Sequence, residues 1–127
     1  MIFVDTNVAI ELRDDAANAG PRLASITPQP VFSLITWIEL EAGVERDAAL
    51  ALIRRQLLNE LLAEIEVVML TAADVASYGR IIAQSGYNRR RVLDRLIAAQ
   101  ALTRNASLVT ANTADFADIA GLTLIEW

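Results

Sequence analysis

The chain has 127 residues, 54% of them apolar, and a net charge of −5, so it is long enough to bury its own core as one domain spanning 1–127. It has no Cys and no His, and its 11 basic residues are all Arg. That excludes thiol and Ser-His-Asp chemistry, histidine acid–base catalysis, ordinary zinc sites, Schiff bases and a P-loop lysine.

Carboxylate chemistry remains, alone or with a hard cation such as Mg2+ or Mn2+. No apolar run approaches the roughly 18 residues of a membrane span. The start, Met1-Ile2-Phe3-Val4-Asp5, lacks a basic region and carries an acid early, so it does not read as a signal peptide. A soluble cytoplasmic protein is the expectation, and the lack of Cys agrees with a reducing compartment. The net negative charge argues against nucleic acid as a partner, but local fields decide encounter. If four acids held two divalent cations, that patch would be neutral. The run Arg89-Arg90-Arg91, with Arg95, would then supply a positive surface.

Ile2-Phe3-Val4 reads as a short buried strand ending at Asp5. Asn7 is the expected N-cap of a helix through Val8, Ile10, Glu11 and Leu12. Residues 14–30 hold Gly20, Pro21, Pro28 and Pro30 and read as a loop or short helical turns. Val31 to Ile35 is a second strand. A helical pattern follows from Thr36 to about Glu64, with a break expected at Gly43, and its second part carries a leucine-rich stripe over 50–62. Ile65 to Leu70 is a third strand. Thr71 to Asp74 opens a helix in capping-box style that runs to about Gly86. A further helix covers Arg90 to Arg104, Ser107 to Thr110 is a strand, and Asn112 to Ile119 is a short helix. Gly121 ends that helix, and Leu122 to Ile125 is the last strand. Strands alternating with helices predict an α/β fold, a three-layer α/β/α sandwich on a mostly parallel central sheet.

Open parallel sheets bind ligands at the carboxyl ends of their strands. Asp5 directly follows the first strand. Glu39 comes four residues after the second, in the first turn of its helix, and Asp115 comes five after the fourth. All three are expected at one sheet edge. Asp94 falls mid-helix on the stripe of Ile97, Ala98 and Ala101, so it should face inward. Carboxylates gathered this way repel: at about 5 Å and an effective dielectric near 20, each pair costs roughly 3 kcal/mol. Protonation, an arginine or a bound metal must offset that. An all-oxygen donor set suits Mg2+ or Mn2+, which activate water and stabilise phosphoryl displacement. Taken singly, each acid has an ordinary alternative. Asp5 suits a helix cap, Glu39 a solvated face, Asp94 a pair with Arg90 or Arg91, and Asp115 a dipole partner.

The segments IFVDTN (2–7), TWIELEAGV (36–44), LDRLIAAQAL (93–102) and LVTANTADF (108–116) together resemble the PIN-domain family, and within it the VapC-type toxins of toxin–antitoxin pairs. The resemblance covers nearly the whole chain in order and spacing. It implies a compact α/β/α fold and a Mg2+- or Mn2+-dependent endoribonuclease. By matching positions it implies that Asp5, Glu39, Asp94 and Asp115 form the acidic quartet, catalytic and metal-binding. Asp5 and Asp94 would be direct ligands, with Asp115 on a first or second ion. Glu39 would bind metal or orient the attacking water. Thr6, Thr110 and Asn112 match supporting polar positions: Thr6 would bond a carboxylate or the water, and Asn112 would hold Asp115 or a phosphate oxygen. Turn and cap chemistry is the ordinary alternative for these three.

The Asn88-Arg89-Arg90-Arg91 segment departs from the more varied, often proline-containing loop expected there. It leads straight into the Asp94 helix, which suggests Arg89, Arg90 and Arg91 as contacts to an RNA backbone; solvated surface is the alternative. The resemblance also implies a partner, an antitoxin that blocks the acidic pocket with a basic side chain such as Arg, and a homodimer. The 50–62 stripe is a candidate partner groove or dimer face, against ordinary core packing. A receiver-type phosphoacceptor would need paired acids after the first strand and a lysine. A haloacid-dehalogenase-type phosphatase would need an acid where Asn7 stands. A catalytically silent PIN scaffold is the remaining rival.

Overall fold

A computed structural model describes residues 1–127. Its first strand, β1 (Ile2–Val4), is wholly buried, as a run of three apolar residues bounded by an acid should be. Helix α1 (Thr6–Asp14) starts two residues earlier than expected, at Thr6 rather than Val8. Asp5, not Asn7, is the N-cap, and its side chain accepts from the Thr6 amide. The Asp5 amide is itself bonded to the Val109 carbonyl at 2.8 Å, so the strand's last ladder bond puts Asp5 where the chain must turn. The proline-containing stretch is more ordered than expected. Helix α2 (Ala16–Ala24) encloses Pro21, which removes one helical hydrogen bond at a cost near ~3 kcal/mol. Burial of Ala19 and Leu23, four apart on one face, opposes that cost.

Strand β2 is shorter than expected (Phe32–Ser33), and helix α3 begins at Leu34 and runs to Glu45. Ser33 closes the strand and caps the helix, its Oγ accepting from the Ile35 amide at 3.0 Å. Leu34 and Ile35 are therefore helical despite their strand-like apolar run. The helix also passes through Gly43 without breaking; the interruption falls at 46–50, before α4 (Ala51–Glu64). Gly43 serves a close approach instead. A Cβ there would lie 3.0 Å from Arg13 Nη1.

Strand β3 (Val67–Val68) is followed by α5 (Ala72–Ser85), whose Thr71–Asp74 capping box forms as expected. A 3-10 turn over Arg89–Arg91, capped by Asn88, precedes α6 (Val92–Thr103). Strand β4 (Ser107–Thr110), the single-turn α7 (Thr113–Phe116) and β5 (Thr123–Glu126) complete the chain.

All strand pairs are parallel. The ladders are β1-β4-β5 and β2-β3, joined where Val31 bridges Phe3. Strand alternation sends side chains to two cores. Ile2, Val4 and Val109 pack with α1, α2 and α4 and the later turns of α3. Phe3 and Leu108 pack with Ile81 of α5 and Ile97, Ala98 and Ala101 of α6. Helices on both faces of a parallel sheet make the three-layer sandwich. Of the 50–62 stripe, Leu58 is fully buried, whereas Leu50, Ile53 and Leu52 are 40%, 48% and 85% exposed. No helix is long and apolar enough to cross a membrane.

Candidate active site

Strand ends and helix starts bring the four acids to one edge of the sheet. Asp5 is buried at the end of β1. Its Oδ1 accepts from the Thr6 amide at 2.7 Å and its Oδ2 from Thr110 Oγ1 at 2.9 Å. Thr110 Oγ1 in turn accepts from the Asn112 amide at 3.0 Å, which leaves its proton for Asp5. Asn112 thus acts through its backbone: its carbonyl also accepts from the Asp115 amide at 3.0 Å, and its side chain makes no cap bond. Asp115 is therefore held by the Asn112 main chain rather than by its amide side chain.

Glu39 is half-buried in the second turn of α3, one turn later than expected because that helix starts at Leu34. Its Oε1 accepts from Thr6 Oγ1 at 2.7 Å, so Thr6 grips Asp5 through its amide and Glu39 through its hydroxyl. Asp94 lies in the first turn of α6, not mid-helix. It is half-buried and faces the other acids. Arg91 does not take Asp94 as a partner. It turns to Asp115 instead, with Nη1 donating to the carbonyl at 2.6 Å and Nη2 lying 3.6 Å from Oδ1.

Burial and the neighbouring charges together shift these carboxyls. Burial raises the Asp5 carboxyl, opposed by the Thr110 and Thr6 hydrogen bonds and reinforced by Asp115. Burial likewise raises Glu39, with the Thr6 bond opposing, Asp5 reinforcing and Arg46 opposing. Asp94 is pushed up to about 6, first by burial and then by Asp5, Glu39 and Asp115, with Arg91 pulling back. Three neighbouring carboxylates above their ordinary range form the pattern expected of a candidate functional site. No three of them converge closely enough to cage an ion unaided. That openness fits Mg2+, which keeps several waters and takes one or two carboxylates beside substrate oxygens. The donors are all oxygen, and Asp94, with no hydrogen-bond donor to stabilise its charge, is the group best placed to hold a cation.

The basic run divides. Arg90 and Arg91, with Asn88, Asp94 and Asp115, line a cavity of about 360 Å³, whereas Arg89 is exposed outside it. Arg95 is no part of a positive surface. It is buried, donating to the Gly86 carbonyl at 2.5 Å and to Asp118 Oδ2 at 3.0 Å, and so anchors the Asp94 turn from behind. In a second cavity, Thr6 and Glu39 lie with Arg13, Arg46 and Arg54. Sequence reasoning misses these three. Arg13 is seven residues after Thr6 and Arg46 seven after Glu39, spacings that keep each pair on one helix face.

The PIN-domain family model matches residues 2–122. The chain belongs to the PIN-domain family. Solved structures with this PIN fold span it almost completely. One, VapBC2 from Rickettsia felis bound to a DNA fragment from its promoter, is 26% identical at a TM-score of 0.84, covering 100% of this chain and 99% of that one. VapBC-1 from nontypeable Haemophilus influenzae is 26% identical at 0.79, covering 100% and 98%. DNA-bound VapBC from Salmonella typhimurium, at 24% identity and a TM-score of 0.85 over 99% and 97%, shares the fold. No curated protein sequence matches the chain significantly.

Proposed function

We propose that this PIN chain is a Mg2+- or Mn2+-dependent endoribonuclease, the toxin of a VapBC-type toxin–antitoxin pair, acting as one domain in the cytoplasm. PIN domains are typically nucleases that depend on divalent metal. The observation that carries the reading is the gathering of Asp5, Glu39, Asp94 and Asp115 at the carboxyl edge of a parallel sheet, where burial first and neighbouring carboxylates second raise Asp5, Glu39 and Asp94. Such a cluster is costly unless cations share it.

Asp94 and Asp5 are the proposed ligands, with Asp115 and Glu39 completing the quartet. When bound, the ion supplies an activated water and neutralises charge building on the phosphoryl oxygens. The rest falls to the chain. Thr110 and the Thr6 amide hold the Asp5 carboxylate in one orientation, and Thr6 Oγ1 holds Glu39 so that its free oxygen can orient or deprotonate the attacking water. Arg91, pinned on Asp115, and Arg90 line the cavity where RNA phosphate would lie. An edge carrying four acids suits an inserted arginine from an antitoxin, and the neighbours described as VapBC or toxin–antitoxin complexes favour that partner. Exposed Leu50, Leu52 and Ile53 on and before α4 favour a partner or homodimer face there.

The test is cleavage of single-stranded RNA by the purified chain. Turnover with Mg2+ or Mn2+, lost with EDTA, regained on adding metal and absent in Asp5→Asn, supports the assignment. RNA cleavage that survives EDTA, or RNA left intact by the folded, metal-loaded chain, sinks it.

A further inference from the structure

The cavity on the Glu39 side has about 420 Å³ of space and is lined by Thr6, Glu39, Arg13, Arg46 and Arg54 among others. Arg13 is 4% exposed. Its Nε and Nη2 bond Asp14 at 2.8 and 3.1 Å, yet Nη1 has no partner in the protein. That atom is sealed from solvent against Gly43, so Arg13 gives the recess positive charge rather than a direct contact. Arg54 Nη1 donates to the Gly43 carbonyl at 3.0 Å, which holds its guanidinium beside that of Arg13. Arg46 is exposed, makes no hydrogen bond or ion pair, and lies near enough to Glu39 to lower its carboxyl. Three cations against Asp14 and Glu39 leave this recess positive, on a chain whose net charge is −5.

Its position is as informative as its charge. Leu93 lines this recess, while the next residue, Asp94, lines the recess of Arg90 and Arg91. The two arginine-bearing cavities therefore meet at the start of α6 and divide the acids, Glu39 lining one and Asp94 and Asp115 the other. A lone phosphate would need one of them. A chain of phosphates crossing the acids would use both. We infer that Arg13, Arg46 and Arg54 form a subsite for a backbone phosphate of the RNA strand, flanking the cleaved bond on the side opposite Arg90 and Arg91. The inference rests on the ribonuclease reading and adds the path of the strand to it.

Binding of a short labelled single-stranded RNA to the non-cleaving Asp94→Asn protein, followed by fluorescence anisotropy across about 50–200 mM NaCl, tests it. Each lost phosphate contact on a single strand should flatten the slope of log K against log salt by about 0.7. Arg46→Ala should therefore lose about 0.7. Arg46→Ala with Arg54→Ala should lose about 1.4 and bind roughly tenfold more weakly at the low-salt end. Arg80→Ala, outside both cavities, is the control and should change neither. Arg46 is exposed and unbonded, so its variant keeps the test valid even if changes at Arg54 disturb the fold. Unchanged affinity and slope in both variants, while the Asp94→Asn parent binds RNA and the wild type cleaves it, overturn the subsite alone. A wild type that neither binds nor cleaves RNA overturns the ribonuclease reading and the subsite together.

Discussion

Replacing Asp94 by Asn should make the metal-free protein more stable while abolishing its activity. The Asp94 carboxyl is raised from 3.8 to about 6, and a tenfold change in proton affinity is worth about 1.4 kcal/mol. The full penalty for ionising it in the folded state would then be about 3 kcal/mol. The side chain is half-buried, so solvent screening reduces this to about 1.5 kcal/mol. Between about pH 4 and 6 the native state binds the proton that the unfolded state has released, so stability falls as pH rises through that window and levels off above it. Asn cannot ionise. At neutral pH in EDTA the variant should gain about 1.5 kcal/mol, or roughly 5 °C in Tm for a chain of this size, and its melting curve should lose most of the slope between about pH 4 and 6. Saturating Mg2+ should stabilise the wild type by about 2–3 kcal/mol at a hundredfold excess over Kd and leave the variant nearly unmoved. Thermal melts by circular dichroism across pH, with and without Mg2+, measure all of this. An Asp94→Asn protein no more stable than wild type at neutral pH, with its acid-side slope intact, would refute the claim that Asp94 is held ionised against its surroundings.

Thr110→Val keeps the shape but removes the donor to Asp5 Oδ2 and the acceptor of the Asn112 amide; a charged hydrogen bond of this kind is worth about 1.5–3 kcal/mol. Urea unfolding should show a loss in that range, with Thr110→Ser recovering most of it, and a Val variant as stable as wild type would count against the relay. Arg104→Met should cost about 3–5 kcal/mol by stranding Asp74, which is fully buried and bonded to Arg104 Nη1 at 2.6 Å. Burial alone would raise Asp74, but hydrogen bonds from Arg104 and Thr71 outweigh it and hold the carboxyl low. Its stabilisation is therefore present above pH about 3.8 and lost as pH falls through the depressed native value. Adding Asp74→Asn to Arg104→Met should restore much of the loss, and a double variant as weak as the single would contradict the ion-pair account.

Local signals are readable wherever one interaction dominates. The Thr71–Asp74 box and the buried β1 triplet lie where their residue types alone demand them. The misplaced boundaries share a cause: a residue with two possible jobs, decided by a distant contact. Asp5 and Asn7 both cap helices well, and the bond from the Asp5 amide to Val109, more than a hundred residues away, chooses Asp5. Ser33 suits a strand or a cap, and its hydroxyl bonds both the Ile35 amide and Gln100 of α6, pulling Leu34 and Ile35 into the helix. Gly43 reads as a helix stop because nothing local announces the Arg13 guanidinium against it. The acids can be located because parallel sheets put strand-end residues on one edge. Arg13 and Arg46 escape because their relation to that edge runs along helix faces, as i+7 neighbours of Thr6 and Glu39 that carry no motif, and Arg54 because it reaches the same cavity from a separate helix, α4.

The same constraints explain why the acids cannot relax apart. Asp5 is clamped at both oxygens and at its amide. Glu39 is tied to α1 through Thr6. The turn bearing Asp94 is fixed by Arg95 to the Gly86 carbonyl and to Asp118, and the helix behind it by Gln100, whose Nε2 bonds the Val68 and Met69 carbonyls at 3.1 and 3.2 Å. Moving Asp5 or Glu39 outward would break at least one of these hydrogen bonds, at a cost comparable to the repulsion relieved. The charge is therefore left for a proton or a cation to neutralise. The flanking arginines do not remove it. Arg91 commits its guanidinium to Asp115, Arg54 to the Gly43 carbonyl and Arg13 to Asp14. On the proposed function they would draw a polyanion toward the centre while leaving Asp94 unpaired, so that the site could attract phosphate and still hold a metal.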